Sequence, residues 1–182
     1  MVKIVQIDWK KEDEEQKLDE TSVLRHEAKN VNKNEFGTPE LKKILDDMKE
    51  AMNQESDGVA IAAPQIGISK KIFLVRESAY EIGNKNPVWK PLVFINPTIT
   101  KASKKTMLAD EGCLSVRPLY GTTERHASVT IEAYDFMGNK FSFGASNLIA
   151  QIFQHECDHL DGILFIDHAE NIQEIEIEKH GK

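Results

Sequence analysis

The sequence predicts an α+β fold, a mixed but mainly antiparallel sheet packed around one helix that carries the pattern HExxH. Three observations predict it. Segments of helical periodicity lie near both ends of the chain, short apolar runs bounded by Gly, Pro or Asn fill the middle, and one middle segment alternates apolar with polar residues up to a Gly-Asn turn. The length of 182 residues suits one compact domain. With no internal repeat and no low-complexity linker, residues 1–182 read as a single domain.

Ile4, Val5 and Ile7 suggest a short opening strand, and the charged stretch 8–20 reads as a solvated loop. Thr38 before Pro39 is a helix start, the hydroxyl serving as cap and proline taking the first helical position. Leu41, Ile44, Leu45, Met48 and Met52 then recur at helical spacing, which predicts an amphipathic helix over 39–53. Strands are expected at 60–63, 71–76 and 92–96. Val129, Ile131 and Ala133 alternate with polar neighbours, and Gly138-Asn139 leads into KFSF, together a hairpin with one buried face. A second helix is expected to start near Ser146, capped by its hydroxyl, and to end at Gly162 in a left-handed cap. The tail 168–182, rich in Glu and Ile, has no decisive period: a terminal helix is one reading of it, and the sequence leaves it open.

Composition narrows the function. A net charge of -7 repels a nucleic-acid backbone overall, so nucleic acid is not the expected partner. Two cysteines, Cys113 and Cys157, are too few for a disulfide framework and suit a reducing cytoplasm. No secretory leader and no apolar run of membrane-spanning length is evident, so a cytoplasmic protein without a membrane partner is expected.

The chemistry is concentrated in the second helix. His155, Glu156 and His159 form HExxH, in which two imidazoles one turn apart can share a metal ion while the glutamate stands beside it as a base. In a chain of this composition roughly 0.02 such patterns are expected by chance. At about 100° per residue, Leu148, Ile152, His155 and His159 fall within an arc of roughly 60°. The imidazoles therefore lie on the apolar stripe, where burial needs a partner and a shared metal supplies one to both. Cys157 points away from that face. Asp158 is either a surface carboxylate or a group that orients a ligand. A tetrahedral site lacks a third protein ligand, and Cys113 is the candidate, although a free cysteine taken alone is more often plain core.

Three blocks stand in order: GVAIAAPQIG at 58–67, EGCLSV at 111–116 and QHECDHLDG at 154–162. Together they resemble the signature motifs of peptide deformylase, close to GxGxAAxQ, EGCLS and QHExDH. The resemblance implies that Cys113, His155 and His159 hold one divalent metal ion, typically iron(II), with zinc, nickel or cobalt able to replace it. It further implies that Glu156 is the catalytic acid/base, and that the Gln65 side chain and the Leu114 backbone N–H donate to the developing oxyanion. The implied substrate is the N-terminal formylmethionine of nascent polypeptides, from which the formyl group leaves as formate. Val59, Leu148 and Ile152 would receive the methionine side chain, and Gly58, Ala60 and Gly112 would line the substrate's path. Burying a thioether in such a pocket contributes about 1.5–3 kcal/mol.

Two departures from the family pattern carry consequences. Ala60 stands where the second glycine of GxGxAAxQ is usual, and its methyl group would crowd a substrate backbone running alongside. The acidic tail ENIQEIEIEKHGK differs from the basic helix some members dock on the ribosome, which leaves at most a transient ribosome contact. Two other functions compete. An HExxH peptidase cutting internal bonds would take a different third ligand and leave EGCLSV without a role. A non-catalytic metal-stabilised binding protein would have no use for an intact Glu156 and Gln65.

Overall fold

The computed structural model describes residues 2–8, 20–82 and 89–175. Most of the charged 8–20 stretch and the end of the tail lie outside these residues. Helix α1 (Pro39–Gln54) starts as the sequence predicts: the Thr38 hydroxyl accepts the Leu41 N–H at 3.2 Å, and Pro39 takes the first turn. It buries Leu41, Met48, Ala51 and Met52 and turns the Lys42–Asp46 and Lys43–Asp47 pairs to solvent.

Strands β1 (Ala60–Ala62) and β2 (Ile72–Val75) follow, then a short helix α2 (Glu77–Ile82) and strand β3 (Val93–Ala102). The small-sheet strands β4 (Thr106–Gly112) and β5 (Leu119–His126) precede β6 (Ser128–Tyr134) and β7 (Lys140–Ser146). Helix α3 (Asn147–Leu160) and strand β8 (Glu170–Glu174) complete the described chain. The strands form a five-stranded sheet in the order β1-β2-β3-β6-β7 and a three-stranded sheet in the order β4-β5-β8, every pairing antiparallel. Among the described residues the parallel element of the expected mixed sheet is a single isolated bridge, Lys29 with Lys70.

The apolar runs of β1 and β2 are continuous because both faces of that part of the sheet are covered. Ala60, Ala62, Phe73 and Val75 face a core shared with α3, whereas Ile61, Ile72 and Leu74 face a second core under α1. In the first core the Phe73 and Phe94 rings stack at 4.4 Å, and Phe153 of α3 meets Phe94 edge-on at 4.8 Å. Each such ring buried contributes about 1.5–3 kcal/mol and anchors α3 on the sheet. A third cluster, with Ile7, Cys113, Val116, Leu119, Leu164 and Phe165, holds the small sheet against the other flank of the site.

Two local expectations are corrected and one open segment is resolved. The opening residues Ile4–Ile7 join no sheet. Val5 N–H donates to Gln65 O and Ile7 N–H to Ser115 O, each at 2.8 Å, so the segment bonds to two separate turns and, among the described residues, pairs with no strand. Ser146 does not cap α3 with its hydroxyl, because it stays in the β6–β7 ladder opposite Ser128, and Asn147, at φ +53°, makes the turn into the helix. The first half of the tail is not helical: residues 170–174 form β8 on the otherwise open edge of β5, where a neighbouring ladder of unpaired backbone groups outweighs a weak helical pattern. Gly162 closes α3 as predicted, at φ +76°, and a Cβ there would lie 2.8 Å from the backbone of Arg25 and His26.

Candidate active site

Helix α3, the end of β4 and the loop after β1 meet at one cavity of about 310 Å³. Every residue the sequence proposed for the site lines it except His159, which lies just beneath at 1% exposure. One ligating atom from each of Cys113, His155 and His159 lies within 4.8 Å of the others, and Cys113 Sγ is 3.2 Å from His159 Nε2. Ligands of a tetrahedral ion with bonds of about 2.0–2.3 Å stand roughly 3.3–3.8 Å apart, so the three side chains need little movement to close on one.

The electrostatics favour a cation at that point. Burial by itself would raise the Cys113 thiol, but the imidazoles of His159 and His155 beside it bring it down to about 5. Burial would likewise lower His155, yet Cys113 and Glu111 push it well above its ordinary value. Both shifts express one preference, a positive charge among a thiolate, a carboxylate and two imidazoles, which a divalent ion satisfies. Two N–H groups support the sulfur, Ser115 N at 3.4 Å and Gln65 Nε2 at 3.5 Å.

Glu156 is 4% exposed, and its Oε2 has no hydrogen-bond partner. Burial raises its carboxyl to about 7, the range in which a group exchanges protons at neutral pH. Gln65 is oriented at its other end: its Oε1 accepts the Ala62 N–H at 2.8 Å, which turns the NH2 group toward Cys113 and Ser115. The Leu114 carbonyl accepts Gln6 Nε2 at 2.8 Å, so the opening segment steadies the turn after Cys113. Gly112 borders the cavity where no side chain fits, since a Cβ would sit 2.4 Å from the Tyr120 ring. Leu148 and Ile152, two turns and one turn before His155, form an apolar lining of the cavity together with Val59 and Ala60. Cys157 lies off the metal face, packed against the α3 core, and burial pushes its thiol up.

From the sequence, Glu111 and Arg125 had no role, yet they stand behind His155. His155 Nδ1 donates to Glu111 Oε2 at 3.0 Å, which leaves Nε2 for a metal. Both Glu111 oxygens also accept from Arg125, at 2.8 and 2.9 Å, and Arg125 Nη1 reaches Asp158 at 2.6 Å. Burial would raise the Glu111 carboxyl, but Arg125 and His155 hold it below the usual carboxylate range. Asp158 is thus an outer member of this chain, touching the guanidinium and not the imidazole. Leu119, Gly121, Thr123 and Arg125 are the buried alternates of β5. Had that strand been recognised, a charge at an inward position would have called for a buried counter-charge.

The profile of the polypeptide deformylase family matches residues 15–174. The chain belongs to the peptide deformylase family. It is 37% identical over 150 residues to the peptide deformylase of Desulforudis audaxviator, an alignment covering 82% of this chain and 89% of that protein. Among solved structures, the Thermotoga maritima peptide deformylase superposes with a TM-score of 0.74 at 32% identity, covering 93% of this chain and 98% of that one. A Met-Ala-Ser-bound class I type b peptide deformylase from Acinetobacter baumannii superposes with a TM-score of 0.75 at 32% identity, covering 91% and 96%. As a peptide deformylase the chain is a metal-dependent hydrolase that removes the formyl group from N-terminal formylmethionine. Peptide deformylases occupy more than one compartment: a 36% identical relative from Arabidopsis thaliana, over 80% of this chain and 57% of its own length, is named chloroplastic/mitochondrial. Among the described residues no helix is long and apolar enough to cross a membrane.

Proposed function

We propose that Cys113, His155 and His159 hold one divalent ion, iron(II) in the cell, and that Glu156 moves the protons of deformylation. The observation that carries this reading is the convergence of those three ligating atoms beside a buried carboxylate with one free oxygen, all at one cavity. The donor set of two imidazoles and a thiolate suits iron(II), zinc, nickel and cobalt alike. When bound, the ion supplies a Lewis acid and an acidified water.

The chain's own residues do the rest. Glu156 accepts a proton from the attacking water and returns it to the leaving amine, a role its raised pKa fits. The Gln65 NH2, fixed by the Ala62 N–H, and the Leu114 backbone N–H stabilise the oxygen on which charge develops. Leu148, Ile152 and Val59 receive the methionine side chain, and Gly58, Ala60 and Gly112 line the peptide's path. Ala60 narrows that path by one methyl group relative to the family's usual glycine. Residues 1–182 act as one catalytic domain, α3 packing against both sheets. With a charge of -7 and reduced cysteines, the protein works in the cytoplasm on nascent chains and meets the ribosome only transiently.

The test is metal analysis of anaerobically purified protein, paired with formate release from a formyl-Met peptide. One ion per chain and formate production are expected. Cleavage inside the peptide, or turnover by metal-free protein, would refute the assignment.

A further inference from the structure

The segment Glu55–Val59 between α1 and β1 is held from two sides by arginines. Arg76 Nη2 donates to the carbonyls of Met52 and Glu55, at 2.6 and 3.1 Å, at the C-terminal end of α1, and the Arg76 main-chain N–H donates to Val59 O at 2.8 Å. Arg117 binds the same segment through its side chains: Nη1 donates to Glu55 Oε2 at 2.7 Å and Nη2 to Asp57 Oδ1 at 2.6 Å.

Arg117 belongs to the opposite wall of the cavity. It follows Cys113 by four residues, in the turn that presents Leu114. The two walls come close enough that a Cβ on Gly58 would lie 3.3 Å from Leu114 Cδ1. A guanidinium spans two carboxylates at once, whereas an ammonium is a point charge. One side chain therefore ties the Gly58–Ala60 wall to the Leu114 wall at the mouth of the cavity.

We propose that Arg117, acting through Glu55 and Asp57, is a positioning residue that sets the spacing of the two walls gripping the substrate's methionyl residue. The proposal rests on the deformylase reading of the cavity. The Arg117 guanidinium bonds to Glu55 and Asp57 and not to a metal ligand or Glu156, so its effect is expected on binding more than on the chemical step. The three side chains are 28%, 30% and 46% exposed, which makes the tie sensitive to salt.

The test is steady-state deformylation of a formyl-Met-Ala peptide by the iron-loaded enzyme. Arg117→Gln is expected to raise KM about three- to tenfold, the range for two partly exposed ion pairs, with kcat within about twofold. Glu55→Gln/Asp57→Asn should reproduce the effect, and it decides the matter if Arg117→Gln does not fold. Arg117→Lys should recover part of the loss. Wild-type KM should climb toward the variant value between about 0.05 and 0.5 M salt, while the variant's KM moves less. Unchanged KM in both variants, or a loss that falls on kcat and metal content, overturns the positioning role alone. A wild-type enzyme that releases no formate overturns the deformylase reading together with it.

Discussion

Replacing Arg125 with methionine should be among the most damaging single changes in the molecule, and the structure says why. The guanidinium side chain is 7% exposed and the Glu111 carboxylate it binds is 2% exposed. The substitution keeps most of the aliphatic volume but removes both donors to Glu111 and the donor to Asp158. Among the described residues Glu111 then keeps only His155 Nδ1, and its charge stays in a low-dielectric site. Breaking a buried pair in this way costs about 3–5 kcal/mol, a large share of a domain stability of about 5–15 kcal/mol. For a chain of this size the melting temperature should fall on the order of 10 °C. Urea unfolding followed by circular dichroism, with an unchanged slope, measures the loss. The double variant Glu111→Leu/Arg125→Met separates the causes. It removes both charges, so its stability should return to within about 2 kcal/mol of wild type. Its metal affinity should remain about 10- to 100-fold weaker, because His155 has lost the acceptor that orients it. A single variant within about 1 kcal/mol of wild type, or a double variant no more stable than the single, would show that no orphaned charge is at stake.

The remaining predictions concern the metal, the proton and the end of α3. Glu156→Ala should bind metal normally and lose at least about 100-fold in kcat; near-wild-type turnover would remove it as acid/base. Cys113→Ser should weaken zinc binding in a chelator competition or shift the metal preference, since a hydroxyl is a harder ligand than a thiolate; equal affinity would take Cys113 out of the ligand set. Gly162→Ala places a methyl group 2.8 Å from backbone atoms at a positive φ, and unfolding should show a loss of about 1–3 kcal/mol. A neutral result would mean that the Arg25–His26 segment moves aside at little cost.

Much of the site was legible before any coordinates because local geometry fixes it. Residues 155 and 159 share a face of any helix they occupy, and Leu148 and Ile152 share it with them, so an apolar stripe meeting two imidazoles follows from spacing alone. Thr38-Pro39 and Gly162 mark helix ends by backbone chemistry that needs no tertiary partner. The failures lie where a partner distant in sequence decides. Ile4–Ile7 has the composition of a strand, but pairing depends on a neighbour that the fold does not supply there. Residues 170–174 carry no decisive period, and their conformation follows from the open edge of β5. Ser146 is a good capping residue that remains committed to a ladder.

By itself, then, the sequence determined which side chains could hold a cation, which helix presents two of them, and which face of that helix is apolar. It did so because those relations repeat every few residues along one chain. Only the tertiary structure decided that Cys113 reaches the imidazoles across 42 and 46 residues of chain, that Glu111 and Arg125 stand behind His155, and that Arg117 joins the two walls of the cavity. Those are contacts between strands and loops distant in sequence. Their partners are selected by packing and by the cost of burying an unpaired charge, neither of which leaves a period in the sequence.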